Sequence, residues 1–118
     1  MNAINKLYSS FRNAFKGIVL LLQIERNAKI HLILSFLAIF LGFILKISSM
    51  EWIAVIFCIG FVIALEAINT SIEKLCDFVN PDYHLNIKKI KDISAAAVLI
   101  SALCAFCIGL LIFIPKLL

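Results

Sequence analysis

The chain has 118 residues, of which 64% are hydrophobic and 15% charged, with a formal net charge of +4 and only four Gly and two Pro. So apolar a composition excludes a soluble globular core and points to membrane helices forming one domain, residues 1–118. The cations are spread along helix flanks with no aromatic platform between them, which argues against a nucleic-acid partner and suits an anionic lipid surface.

Residues 4–24 carry apolar side chains at Ile4, Leu7, Tyr8, Phe11, Ala14, Phe15, Ile18, Leu21 and Leu22, with Asn5, Ser9, Arg12, Asn13 and Lys16 opposite. This three-four alternation predicts an amphipathic helix lying in the membrane interface. It is not a signal peptide, because the apolar run Ile18 to Leu22 is short, ends in Gln23-Ile24-Glu25-Arg26 and is followed by no small-residue cleavage site. The chain is expected to be retained whole.

Three membrane spans are predicted, at about residues 28–47, 52–79 and 92–114, which makes the fold class all-α and integral to the membrane. Trp52 marks a membrane boundary after the tight linker Ser48-Ser49-Met50-Glu51. Asn80-Pro81-Asp82 ends the second span, since proline disfavours helix in the residue before it. A polar loop bearing Tyr83, His84, Asn86, Lys88, Lys89 and Lys91 is expected next, with Asp92 and Ser94 as caps of the third span. With the N-terminus in the cytoplasm, nine of the eleven cations lie inside and only Lys46 and Lys116 outside. Cys104 and Cys107 form a CxxC inside an apolar run with no second pair, so they read as small buried apolar groups, like Cys58 and Cys76.

The chemistry gathers in Glu66-Ala-Ile-Asn69-Thr70-Ser-Ile-Glu73-Lys74-Leu-Cys-Asp77. At ~100° per residue, Glu66, Asn69, Thr70, Glu73 and Asp77 share one helical stripe. Such a stripe on a soluble helix is a wet face. Here it ends a membrane span, where a carboxylate is costly and marks a functional site by default. The predicted topology sets Glu25, Glu66, Glu73, Asp77, Lys91 and Asp92 at one interface; of the seven acids only Glu51 falls outside. Carboxylates and an ammonium together suit a divalent metal and a phosphate group, although the same residues would also serve simply by pairing with one another. His31, near the start of the first span, reads as an interfacial group, since no second ligand stands at helical spacing.

Glu66-Ala-Ile-Asn69-Thr-Ser-Ile-Glu73, with Asp77, Tyr83-His84 and Lys91-Asp92-Ile-Ser-Ala-Ala96-Ala97-Val98, resembles the signature of the prokaryotic diacylglycerol kinase family, which includes undecaprenol kinases. The likeness extends upstream to Phe15-Lys16-Gly17 and Glu25. It implies a homotrimeric kinase of the bacterial cytoplasmic membrane, with N-terminus and active site on the cytoplasmic side. Such an enzyme carries the γ-phosphoryl group of ATP, with Mg²⁺, to a lipid hydroxyl. The chain contains no G-x-x-x-x-G-K-[ST], so the nucleotide rests on the resemblance alone.

The resemblance assigns Glu66 as the base, Glu25 and Glu73 as the metal pair, and Lys91 and Asp92 as ATP contacts. Asp82-Tyr83-His84 takes the place of a second nucleotide-contacting tripeptide, with Asp82 where the family has Glu. Glu25 and Glu73 also belong to the ATP site, and Lys6 faces both substrates. Asn69 and Ala95 fall with Lys6 and Glu66 on the lipid side, although Ser94 and Ala95 stand where some members have Gly and Ser. Glu25-Arg26-Asn27-Ala-Lys29-Ile30-His31 is similar to the Gram-positive branch, which favours undecaprenol over diacylglycerol as acceptor. The competing expectation is a non-catalytic membrane module that uses the carboxylates for helix pairing or proton relay.

Overall fold

The structure, a computed structural model, describes residues 2–118. It has four helices, α1 (Ala3–Ile24), α2 (Arg26–Ile44), α3 (Ser49–Val79) and α4 (Leu85–Leu117), and no strand among the described residues. The last three are long and apolar enough to cross a membrane. At 1.5 Å per residue α4 is ~50 Å long, which matches the longest dimension of the molecule, 51 Å. A hydrocarbon core of ~30 Å cannot hold so long a helix, so its first turns, residues 85–91, stand in water. The thinnest dimension, 21 Å, is the depth of two helices.

Asn2 caps α1, its side chain accepting from the Asn5 N–H at 2.8 Å. The apolar face of α1, with Tyr8, Phe11, Phe15 and Val19, remains exposed, as a helix lying in lipid requires. Glu25 interrupts the helical path with φ −109° and ψ 115°, ending α1 and starting α2. Its side chain makes no capping hydrogen bond, so the carboxylate is left for other partners.

At the end of the bundle away from Glu25, the outer end in the expected topology, α2 closes through Lys46, whose φ of 51° is left-handed, and the Ile47 N–H donates back to the Gly42 carbonyl at 3.2 Å. Ser48 then caps α3 in a reciprocal box: its hydroxyl accepts from the Glu51 N–H at 3.2 Å, while Glu51 accepts from the Ser48 N–H at 2.9 Å. Ser49, Met50 and Glu51 are therefore the first turn of α3 rather than linker. Gly42 lies against the Trp52 indole, where a Cβ would come within 2.7 Å of the ring. Ile47, Val55 and Ile112 form the buried apolar cluster here, and Lys116 reaches Glu51 at 3.2 Å.

α3 ends at Val79 with Asn80 as cap, as Pro81 requires. The polar segment after it differs from the sequence expectation. Only 80–84 is non-helical, and the cap of α4 is His84, whose Nδ1 accepts from the Asn86 N–H at 3.1 Å. Asp92 and Ser94 are interior helical residues, and Asp92 instead accepts from Lys88 one turn back at 2.6 Å. Asn86 to Lys91 contains no helix breaker, so nothing stops the helix from starting earlier than the apolar run.

Candidate active site at the inner end of the spans

α3 packs along α4 for most of its length and along α2 over a shorter stretch, so its polar stripe faces inward. Glu66 is 1% exposed, Asn69 8% and Thr70 5%. Burying three polar side chains on consecutive turns of a membrane helix is costly unless each has a partner. Yet Glu66 Oε1, Asn69 Oδ1 and Thr70 Oγ1 have no hydrogen-bond partner among the described residues. Two of the three are pure acceptors, so the site calls for a donor from outside the chain, such as a hydroxyl.

The groups around Glu66 come from every side. His31, on α2, places Nε2 3.2 Å from Glu66 Oε1, a close approach that lacks hydrogen-bond alignment. The other charges bearing on Glu66 are Glu25, at the α1–α2 junction, and Glu73, two turns on along α3. Asn69 Nδ2 donates to Glu73 Oε1 at 3.2 Å and holds that carboxylate in place. From α4, the Lys91 ammonium donates to Asp77 and also bears on Glu73. Standing in water beyond the span, Lys91 is pushed above the usual lysine range, chiefly by its hydrogen bond to Asp77. Lys88 is raised likewise by Asp92.

The structure thus gathers Glu25, Glu66, Asn69, Glu73 and Lys91. Asp82, Tyr83 and His84 occupy the exposed α3–α4 turn; the Asp82 N–H is held by Asn80 Oδ1 at 3.0 Å, and His84 is engaged as the α4 cap. Asp92 points away toward Lys88, and Ala95 is exposed on α4. Lys6 lies about 28 Å from Glu25 along α1 at 1.5 Å per residue, so it does not join the cluster within one chain. Sequence reasoning left His31 and Asp77 without a role. Asp77 is on the stripe and Lys91 is the cation facing it; the signals for His31 are its place in the Glu25–His31 stretch and its depth, about five residues into α2.

Glu25 and Glu73 are partly buried hard oxygen donors that both bear on Glu66, and no group of three or more His, Cys, Asp or Glu side chains stands ready for a metal among the described residues, so a pair of carboxylates is what the chain offers a Mg²⁺ ion. Magnesium takes one or two carboxylates and completes its shell with water and phosphate oxygens, so a larger cage of protein ligands is not needed.

Fold and site together define a small helical membrane protein with an ionic cluster where its spans meet the water. The family described as Prokaryotic diacylglycerol kinase matches residues 12–113, and the chain belongs to that family, whose members are lipid kinases. The chain is 36% identical over 116 residues to an undecaprenol kinase of Bacillus subtilis, covering 98% of this chain and 94% of that one. It is 31% identical over 113 residues to a diacylglycerol kinase of Synechocystis, covering 95% of this chain and 65% of that one.

Proposed function

We propose that the protein transfers the γ-phosphoryl group of ATP to the hydroxyl of a membrane lipid at the cytoplasmic face of a bacterial inner membrane. The observation that carries this is Glu66, a carboxylate buried inside a span with an unpaired oxygen and two further carboxylates beside it. Undecaprenol is the preferred acceptor and diacylglycerol the second. Support comes from the closer likeness to an undecaprenol kinase and from Glu25-Arg26-Asn27-Ala28-Lys29-Ile30-His31.

Glu66 removes the hydroxyl proton as the acceptor oxygen attacks. Phosphoryl transfer asks the protein mainly for positioning and charge neutralisation. Glu25 and Glu73 would hold Mg²⁺, which when bound would supply positive charge against the phosphates. Asn69 fixes Glu73 for that task. Lys91, kept near Glu73 by Asp77, supplies a cation to the phosphates; Asp82, Tyr83 and His84 contact the nucleotide from the exposed turn, and Asp92 from α4. Lys6 reaches the site from a neighbouring subunit of a homotrimer.

The test is transfer of labelled phosphate from ATP to undecaprenol or diacylglycerol in mixed micelles. Wild type should label undecaprenol faster, and Glu66→Gln should lose about 100-fold or more in kcat with its helices intact. A Glu66→Gln rate near wild type would remove Glu66 as the base, and no labelled lipid at all would end the kinase reading.

A further inference from the structure

The proposed base does not face the space through which an acceptor would come. An apolar cavity of about 510 Å³ lies between α2, α3 and α4, walled by Leu34, Ala38, Cys58, Val62 and Phe106. Its polar wall residues include His31 but not Glu66. Glu66, 1% exposed against 23% for the His31 side chain, does not line the cavity but approaches His31, with Nε2 to Oε1 at 3.2 Å. A hydroxyl arriving by this route meets imidazole first.

The other charged groups that bear on Glu66 are not placed to take this proton. Glu25 and Glu73, which bear on Glu66 from the α1–α2 junction and from α3, are acids, and the α4 cation Lys91 is paired with Asp77. Among the described residues, His31 Nε2 is the ring donor that stands 3.2 Å from the orphaned Glu66 oxygen; the Thr70 hydroxyl, one turn on along α3, is the other nearby donor, but it cannot relay a proton from one ring atom to another.

We propose that His31 is a further catalytic residue, which takes the acceptor's hydroxyl proton and hands its own to Glu66. The proposal rests on the lipid-kinase reading and adds a step to it. As the acceptor oxygen bonds to the γ-phosphorus of the nucleoside triphosphate, the bond from that phosphorus to the β-bridging oxygen breaks and the diphosphate leaves. The hydroxyl proton goes to the ring nitrogen facing the cavity, and the Nε2 proton passes to Glu66 Oε1. The imidazole ends neutral and the carboxyl protonated. Only a ring with one donor and one acceptor nitrogen can do both at once.

Glutamine discriminates, because His31→Gln keeps an amide donor beside Glu66 but cannot accept and release a proton. With purified chain, undecaprenol and Mg-ATP in mixed micelles, His31→Gln should lose about 100-fold in kcat at unchanged KM for ATP. His31→Ala should fall as far and regain at least tenfold with added imidazole, which should leave Glu66→Gln unaffected. A His31→Gln rate within threefold of wild type overturns the relay and leaves His31 a structural partner; so does an Ala variant that stays folded and ignores imidazole. Should the Ala variant not fold, the Gln result decides. A wild-type chain that labels neither lipid instead fails the kinase reading, and the relay falls with it.

Discussion

Gly42 and Trp52 show how much a single hydrogen can matter at the outer end of the bundle. The indole occupies the volume a Cβ would need, 2.7 Å away at its nearest atom, and is also packed at 4.9 Å between ring centroids against Phe43. Gly42→Ala should therefore cost about 1–3 kcal/mol, seen as a lower denaturant midpoint, and leave the rate per folded enzyme unchanged. At the inner end, Glu73→Gln removes one of two carboxylates expected to hold magnesium, and a titration of activity against Mg²⁺ should shift to higher concentration. An unchanged curve would exclude Glu73 from the metal. The site was legible in sequence as far as one helix carries it: Glu66, Asn69 and Glu73 share a stripe because they lie three and four residues apart. The contact of His31 with Glu66 was not, since it depends on how two helices 35 residues apart in sequence pack, which no periodicity states.

The elements themselves were plain, because a 20-residue apolar run leaves few alternatives in a membrane, and Pro81 ends α3 where sequence places the stop. Boundaries written in polar residues were harder to read. The start of α4 at Leu85 was hidden by lysines that looked like loop but are good helix formers. Ser48 gives the clearest element-scale test: Ser48→Ala removes the acceptor for the Glu51 N–H and should cost about 1 kcal/mol. Across the inner ends, α3 and α4 are tied by Asp77 and Lys91, with Lys91 raised above the ordinary lysine range by that bond. A raised lysine contributes stability that is fully present below its unfolded value, about 10.4, and lost as pH rises through the folded one. Asp77→Asn should thus lower the unfolding midpoint at neutral pH, and the gap from wild type should close above about pH 10.4.

A single chain leaves much apolar surface uncovered, including Phe36, Phe40, Phe57 and Phe106 on the spans, and leaves Lys6 far from the carboxylates. Lipid can cover the first; under the proposed function another copy supplies the second. Mixed oligomers of Lys6→Ala and Glu66→Gln chains, each slow by itself, should recover part of the wild-type rate if sites are shared between copies. Mixtures no faster than their components would confine each site to one chain. The two ends of the bundle are also fastened in different ways. Ring packing, a reciprocal cap and a three-residue reversal join α2 to α3 at the outer end, and Lys116 adds α4 through Glu51. At the other end, the water-exposed Asp77–Lys91 pair, the His31–Glu66 contact and the extended residue Glu25 are the ties. The chain is thus built like tweezers with the rivet at the α2–α3 turn: under the proposed function, tips that part next to the carboxylates would admit a long-chain alcohol sideways without the rivet ever loosening.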